Sequence, residues 1–90
     1  MSTGYTFRNY TIPPHMLASL EAYIEQGHPP GGFLRAVLEN DLMGALGKAD
    51  EANLTNLPAY AGYLYNEAPA GSYGSKEAVD QWLLKKQEAA

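Results

Sequence analysis

Cysteine is absent from the chain, so neither a disulfide framework nor a thiolate metal site is open to it. Cations are scarce. Arg8, Arg35, Lys48, Lys76, Lys85 and Lys86 are the full set against ten acids, and the formal net charge is -4. A duplex binder draws much of its affinity from neutralising phosphates, and six scattered cations make no basic stripe, so nucleic acid is not an expected partner. Only two histidines, His15 and His28, are available to catalysis. No H-E-x-x-H pattern, metal-ligand cluster or nucleophile elbow accompanies them. The reading is a non-enzymatic protein without a cofactor or metal. No apolar run approaches membrane-spanning length, and "MSTGYTFRNY" lacks the apolar segment of a secretory signal. The expectation is a soluble, cytoplasmic protein with no membrane partner.

Tyrosine, by contrast, is plentiful, with seven in 90 residues. Tyrosine offers a large flat contact with a polar tip. Some of the seven can complete a small core, and others can stack on a ligand or a partner. A chain of this length forms one small domain with a thin core, for which self-association is a natural supplement.

Hydrophobic periodicity predicts an all-α fold, a compact bundle of about four helices. Residues 1–10 read as an extended or flexible arm that Tyr5, Phe7 and Tyr10 can dock as a short strand or pack on a neighbour, and residues 11–90 read as the helical domain. Pro14 suits the first position of helix one, whose stripe is Met16, Leu17, Leu20, Tyr23 and Ile24. Gly27 and Pro29 stop it. A second helix is predicted from Pro30 or Gly31 to about Leu46. Phe33, Leu34, Val37, Leu38, Leu42, Ala45 and Leu46 form its buried face, and Glu39, Asn40 and Asp41 a polar cluster at its middle. Ala36 and Met43 widen the apolar surface beyond one stripe, which places this helix at the centre or at a subunit interface. Asp50 caps a third helix through Leu54, Leu57, Ala61 and Leu64. Pro58 falls inside that register, so the helix is kinked, or split near Asn56. "APAGSYGS", Ala68 to Ser75, is a loop, and Ser75 caps a last helix that buries Val79, Trp82 and Leu83.

Three stretches are candidates for binding. "HPPGGFLR" opens the second helix with Gly31 and Gly32, beside His28 and one turn before Arg35. A helix start presents unpaired N–H groups and partial positive charge, and glycines let an anion approach them. Arg35 can fork onto a phosphate. The alternative is a sharp turn between helices, although Gly27 and Pro29 already end helix one and leave Gly32 without a turn duty. Asn40 and Asp41 can contact the hydroxyls or base edge of a ligand, or serve a structural hydrogen bond. "YLYNEAPAGSYGS" gathers Tyr65, Asn66, Ser72, Tyr73 and Ser75, an aromatic face with amide, hydroxyl and backbone N–H groups. That set suits a nucleotide, or an ordinary interhelical turn.

From Ile12 to about Leu83 the chain resembles a group of small proteins encoded by bacteriophages and prophages. The resemblance is carried by "PPGGFLRAVLENDLMGALGKAD" and by "YLYNEAPAGSYGSKEAVDQWL", with its Tyr-Asn, Pro, Gly, aromatic, Gly-Ser and Trp-Leu pattern. It implies a phage accessory product acting in the cytoplasm of an infected bacterium. Such products are often small oligomers that interfere with host processes. In context and size this one is similar to the anti-defence sponges, which hold nucleotide-derived immune signals without cleaving them. Two expectations follow. The chain sequesters a cyclic dinucleotide or an ADP-ribose-type molecule, or it is an interaction module that inhibits or redirects a host protein. In both cases a homo-oligomer is expected.

Overall fold

The computed structural model describes residues 4–89. The fold is mostly helical, with a small sheet at its start. Strands β1 (Tyr5–Phe7) and β2 (Tyr10–Ile12) precede helices α1 (Pro14–Gln26), α2 (Gly32–Leu38), α3 (Leu42–Lys48), α4 (Glu51–Thr55), α5 (Leu57–Asn66) and α6 (Lys76–Ala89). Among the described residues, the expected all-α bundle of about four helices is corrected to six helices and an antiparallel hairpin.

The hairpin replaces the described part of the expected arm; residues 1–3 of that arm lie outside the described residues. Phe7 pairs with Tyr10 and Tyr5 with Ile12, leaving Arg8 and Asn9 as the turn. Aromatic and β-branched residues suit both strands. Arg8 takes the left-handed conformation, φ 55°, that such a turn usually assigns to glycine or asparagine. The hairpin is held from one side. Ile12 is fully buried, and the Tyr5 ring meets Tyr63 edge-on at 5.2 Å. The Thr11 N–H donates to Asn56 Oδ1 at 2.8 Å, which ties the sheet to the junction of α4 and α5.

Helix α1 begins at Pro14 and stops where Gly27 turns left-handed at φ 71°. Helix α2 begins with Gly31 as N-cap but ends at Leu38, half the length expected. Glu39, Asn40 and Asp41 are thus not the middle of a helix. Asn40 adopts φ 62°, the Asn40 N–H donates to the Val37 carbonyl, and the Asp41 N–H donates to the Ala36 carbonyl. These bonds make a Schellman stop with asparagine in the left-handed position. Asp41 then caps α3, its Oδ1 accepting from the Gly44 N–H at 3.0 Å. A local polar triplet overrode a continuous apolar stripe. The reversal also turns Leu42 and Leu46, expected to be buried, out to solvent.

This stop carries a prediction. Asn40→Gly is expected to raise stability by about 0.5 kcal/mol, and Asn40→Ala to lower it by about 1 kcal/mol, because only the first relieves left-handed backbone strain. Urea unfolding of both variants measures the difference.

The third predicted helix is split rather than kinked. Asp50 Oδ1 caps α4 by accepting from the Asn53 N–H at 2.8 Å, and Pro58 sits in the first turn of α5. Ser75 Oγ caps α6 by accepting from the Ala78 N–H at 3.0 Å. The Trp82 indole N–H is shared between the carbonyls of Tyr23 and Ile24, seating α6 on α1.

Ile12, Leu20, Tyr23, Leu38, Ala59, Tyr60 and Val79 are fully enclosed and come from β2, α1, α2, α5 and α6. Both buried tyrosines find partners. Tyr23 Oη donates to the Ser72 carbonyl at 2.8 Å, and Tyr60 Oη donates to Asn53 Oδ1 at 2.7 Å. Burial pushes each phenol up to about 12.

Candidate functional site

The reversal at Asn40 folds α3 back beside α2, and α5 lies across the opening. Between them runs a groove of about 400 Å³. Its walls are Val37, Leu42, Ala45, Leu57, Ala61 and Leu64, and its rim is Asn40, Asp41, Tyr65, Tyr73 and Gly74. The Gly74 N–H donates to the Leu38 carbonyl at 2.7 Å, which anchors the loop before α6 to the end of α2. Among the described residues, Asp41 is the only charged side chain along the groove, and its carboxylate is occupied in part by the cap of α3.

The sequence-derived candidates separate here. Asn40, Asp41, Tyr65 and Tyr73 come together on the groove. His28 and Gly31 line a different depression of about 340 Å³, formed with Ala18, Ser19, Ala22, Pro29 and Pro30. Gly32 faces neither. A Cβ there would lie 3.3 Å from Lys48 Cδ, so the glycine seats the lysine stem against the first turn of α2. Space beside Gly31 is open.

Arg35 is turned to α6. It donates to Glu39 at 2.7 Å and pairs with Asp80, which also accepts from Lys76 at 2.8 Å. Lys76 and then Arg35 hold the Asp80 carboxyl below its usual range. Two carboxylates thus take up the guanidinium that was the candidate phosphate fork. Ser72 is fully buried: its Oγ donates to the Pro69 carbonyl at 2.6 Å while its own carbonyl receives Tyr23. Asn66 Nδ2 donates to the Gly62 carbonyl at 2.9 Å. Ser75 is spent on the cap of α6. These three serve the loop and its helices.

The groove walls were not among the candidates, although Leu57, Ala61 and Leu64 carried the signal as a shared helical face. Two residues of the groove, Leu42 and Tyr65, and two more on α3, Met43 and Leu46, are unusually exposed for large apolar or aromatic side chains. Leu42 is 64% exposed, Met43 75%, Leu46 47% and Tyr65 84%. At 3.6 residues per turn, Leu42, Met43, Leu46 and Gly47 occupy one arc of about 140° on α3, opposite buried Ala45. Isolated exposed apolar residues are ordinary, but several together on one side of a short helix mark a binding surface. Among the described residues no group of three His, Asp or Glu is placed to hold a metal ion, and no helix is long and apolar enough to cross a membrane. Comparison with protein-family models, with curated proteins and with solved structures found no match.

Proposed function

We propose that this chain is a non-catalytic interaction module whose α2–α3–α5 groove and outer α3 face take up an apolar segment of another polypeptide. One observation carries the reading: Leu42 and Tyr65 stand in solvent on a groove lined mostly by apolar side chains, and Met43 and Leu46 add exposed apolar surface on the outer side of α3. Burying such surface yields about 25 cal/mol per Å², and a partner's leucine or aromatic side chain fits a cavity of this size. A lining without lysine or arginine supplies no electrostatic grip on phosphate. The resemblance to phage products makes a host protein one candidate partner.

The test is a photo-crosslinking side chain in place of Tyr65, with one in place of Glu77 on α6 as control. The reading predicts protein adducts from position 65 in bacterial lysate and none from position 77. Equal adduct formation at the two positions, or none at either, contradicts it.

A second reading, sequestration of a nucleotide-derived small molecule, is favoured by the convergence of Asn40, Asp41, Tyr65 and Tyr73 on the same groove. In that reading a base lies against the tyrosines, its polar edge meets Asn40 and Asp41, and its phosphates extend into solvent. Calorimetry with cyclic dinucleotides and ADP-ribose then gives binding heat that Tyr65→Ala removes and Arg35→Ala leaves in place. Absence of heat at millimolar ligand overturns it.

A further inference from the structure

Resting on the reading of the groove as a polypeptide-binding site, we infer that its occupant is a cationic amphipathic segment, one that lays an apolar side chain in the groove and sets an arginine or lysine against Asp41. Three observations select that chemistry.

The first is the charge of the groove itself. Asp41 is exposed at the rim, and its Oδ1 accepts from the Gly44 N–H. Among the described residues no donor reaches Oδ2, and no cation pairs with the carboxylate. Lys48 closes α3, but its stem lies along Gly32, at the start of α2, whereas Asp41 follows the end of that helix. A helix of this length spans about 10 Å. The groove therefore carries one negative charge that nothing in the chain neutralises.

The second is what stands beside that charge. The bond from the Gly74 N–H to the Leu38 carbonyl brings Tyr73 to the end of α2 that Asn40 and Asp41 follow. Tyrosine faces attract a guanidinium or an ammonium, and the Asn40 amide oxygen accepts from either. Below them Val37, Ala45, Leu57 and Leu64 offer an apolar wall, which suits the methylene stem of a long cation or a neighbouring leucine. An acidic segment set in the same place meets Asp41 with like charge.

The third is the field of the whole chain, at a net charge of -4. Among the described residues the ion pairs engage only two acids, Glu39 and Asp80, and they absorb Arg35 and Lys76. Lys85 and Lys86 gather over Trp82, and Arg8 stands over Phe7. Unpaired acid thus outweighs unpaired base, and such a field speeds the approach of a basic partner and turns away an acidic one.

Fluorescence anisotropy tests the inference with three synthetic peptides that share one stripe of leucines. At every remaining position one carries arginine, the second glutamine and the third glutamate. The intact chain is expected to bind the arginine peptide at least about 10-fold more tightly than the glutamine peptide, and the glutamate peptide least. Asp41→Asn is the deciding variant. Asparagine caps a helix as well as aspartate does, so α3 keeps its start and the fold is expected to persist, which circular dichroism checks. The variant is expected to lose most of the arginine preference and to keep its affinity for the glutamine peptide. Glu77→Gln removes an equal charge from an exposed position that does not line the groove, and is expected to leave the preference in place. Ala61→Gln puts a polar chain into the groove from an exposed position, and is expected to weaken binding of every peptide. Equal affinity for the arginine and glutamine peptides, or an arginine preference that survives Asp41→Asn, overturns the inference. If Ala61→Gln still weakens the glutamine peptide in that case, the reading of the groove as a polypeptide site stands. Binding that Ala61→Gln leaves unchanged lies outside the groove and overturns both. Absence of binding by any peptide at millimolar concentration overturns the inference, and adduct formation at position 65 then decides the underlying reading on its own.

Discussion

Gly62→Ala is expected to destabilise the protein by about 2 kcal/mol, although alanine is the better helix former by about 1 kcal/mol. The reason is the seat of the hairpin. A Cβ at Gly62 would lie 2.6 Å from both Cγ and Cδ1 of Phe7 and 3.1 Å from its Cβ. Those atoms are the root of the side chain, so rotation of the ring cannot clear them. Strand β1 must lift instead, and its Tyr5–Tyr63 contact and the Thr11–Asn56 bond resist. Intrinsic propensity and tertiary packing thus predict opposite signs at one position. Denaturant unfolding decides between them. In a Phe7→Ala background, where only the 3.1 Å contact with the position-7 Cβ remains, most of the penalty should disappear, so a double-mutant cycle should show strong coupling. Stabilisation by Gly62→Ala in the wild-type background would mean that the hairpin is not seated on α5.

The second large effect is alkaline. Tyr23 and Tyr60 are fully enclosed, and burial raises each from 10.0 to about 12. In the unfolded chain they ionise near pH 10. Their contribution is therefore complete below pH 10 and is lost as pH rises through 12, because the unfolded state gives up its protons first. The slope is about 1.4 kcal/mol per pH unit for each tyrosine, or about 5.5 kcal/mol for the pair across the window. A small domain of modest stability should unfold cooperatively there. Phenolate absorbance and helical circular dichroism should change together. Tyr60→Phe should halve the slope, while costing stability at neutral pH because Asn53 loses its donor. Independent titration of all seven tyrosines near pH 10, with the fold intact, would contradict the enclosed positions.

Much of the helical framework was legible from local chemistry. Pro14, Gly27, Asp50 and Ser75 mark element ends through dihedral limits and hydrogen bonds that each residue makes within its own neighbourhood. The stripe of α1 and the split before Pro58 were readable for the same reason. The break after Leu38 was not. Asn40 is the less usual occupant of a left-handed helix stop, and the apolar spacing ran unbroken across it from Val37 to Leu46. A short strand at Tyr5–Phe7 was legible, but its pairing with Tyr10–Ile12 was not, because Arg8-Asn9 lacks the glycine that announces a tight turn and three-residue strands show little alternation. Its stability comes from Phe7 on Gly62, a contact between residues far apart in the sequence.

The candidate site divided along the same line. Asn40, Asp41, Tyr65 and Tyr73 were visible as residue types, and the reversal of the chain brought them to one groove. Arg35 could not be judged in advance, because Glu39 is a helical neighbour but Asp80 lies on the last helix. Likewise Ser72 is buried by Tyr23, which no local pattern announces. Surplus apolar surface around Met43 was foreseeable. The exposure of Leu42 on a groove was not, since it depends on the turn at Asn40.

Hydroxyl-radical footprinting tests the central claim most directly, with the intact protein dilute and alone, then in bacterial lysate. Dilute and alone, Leu42, Met43, Leu46 and Tyr65 should react as their exposure dictates. In lysate, protection should appear at these four, while Tyr10 and Leu84, exposed elsewhere, keep their reactivity. Undiminished labelling of Met43 and Tyr65 under both conditions would contradict the account.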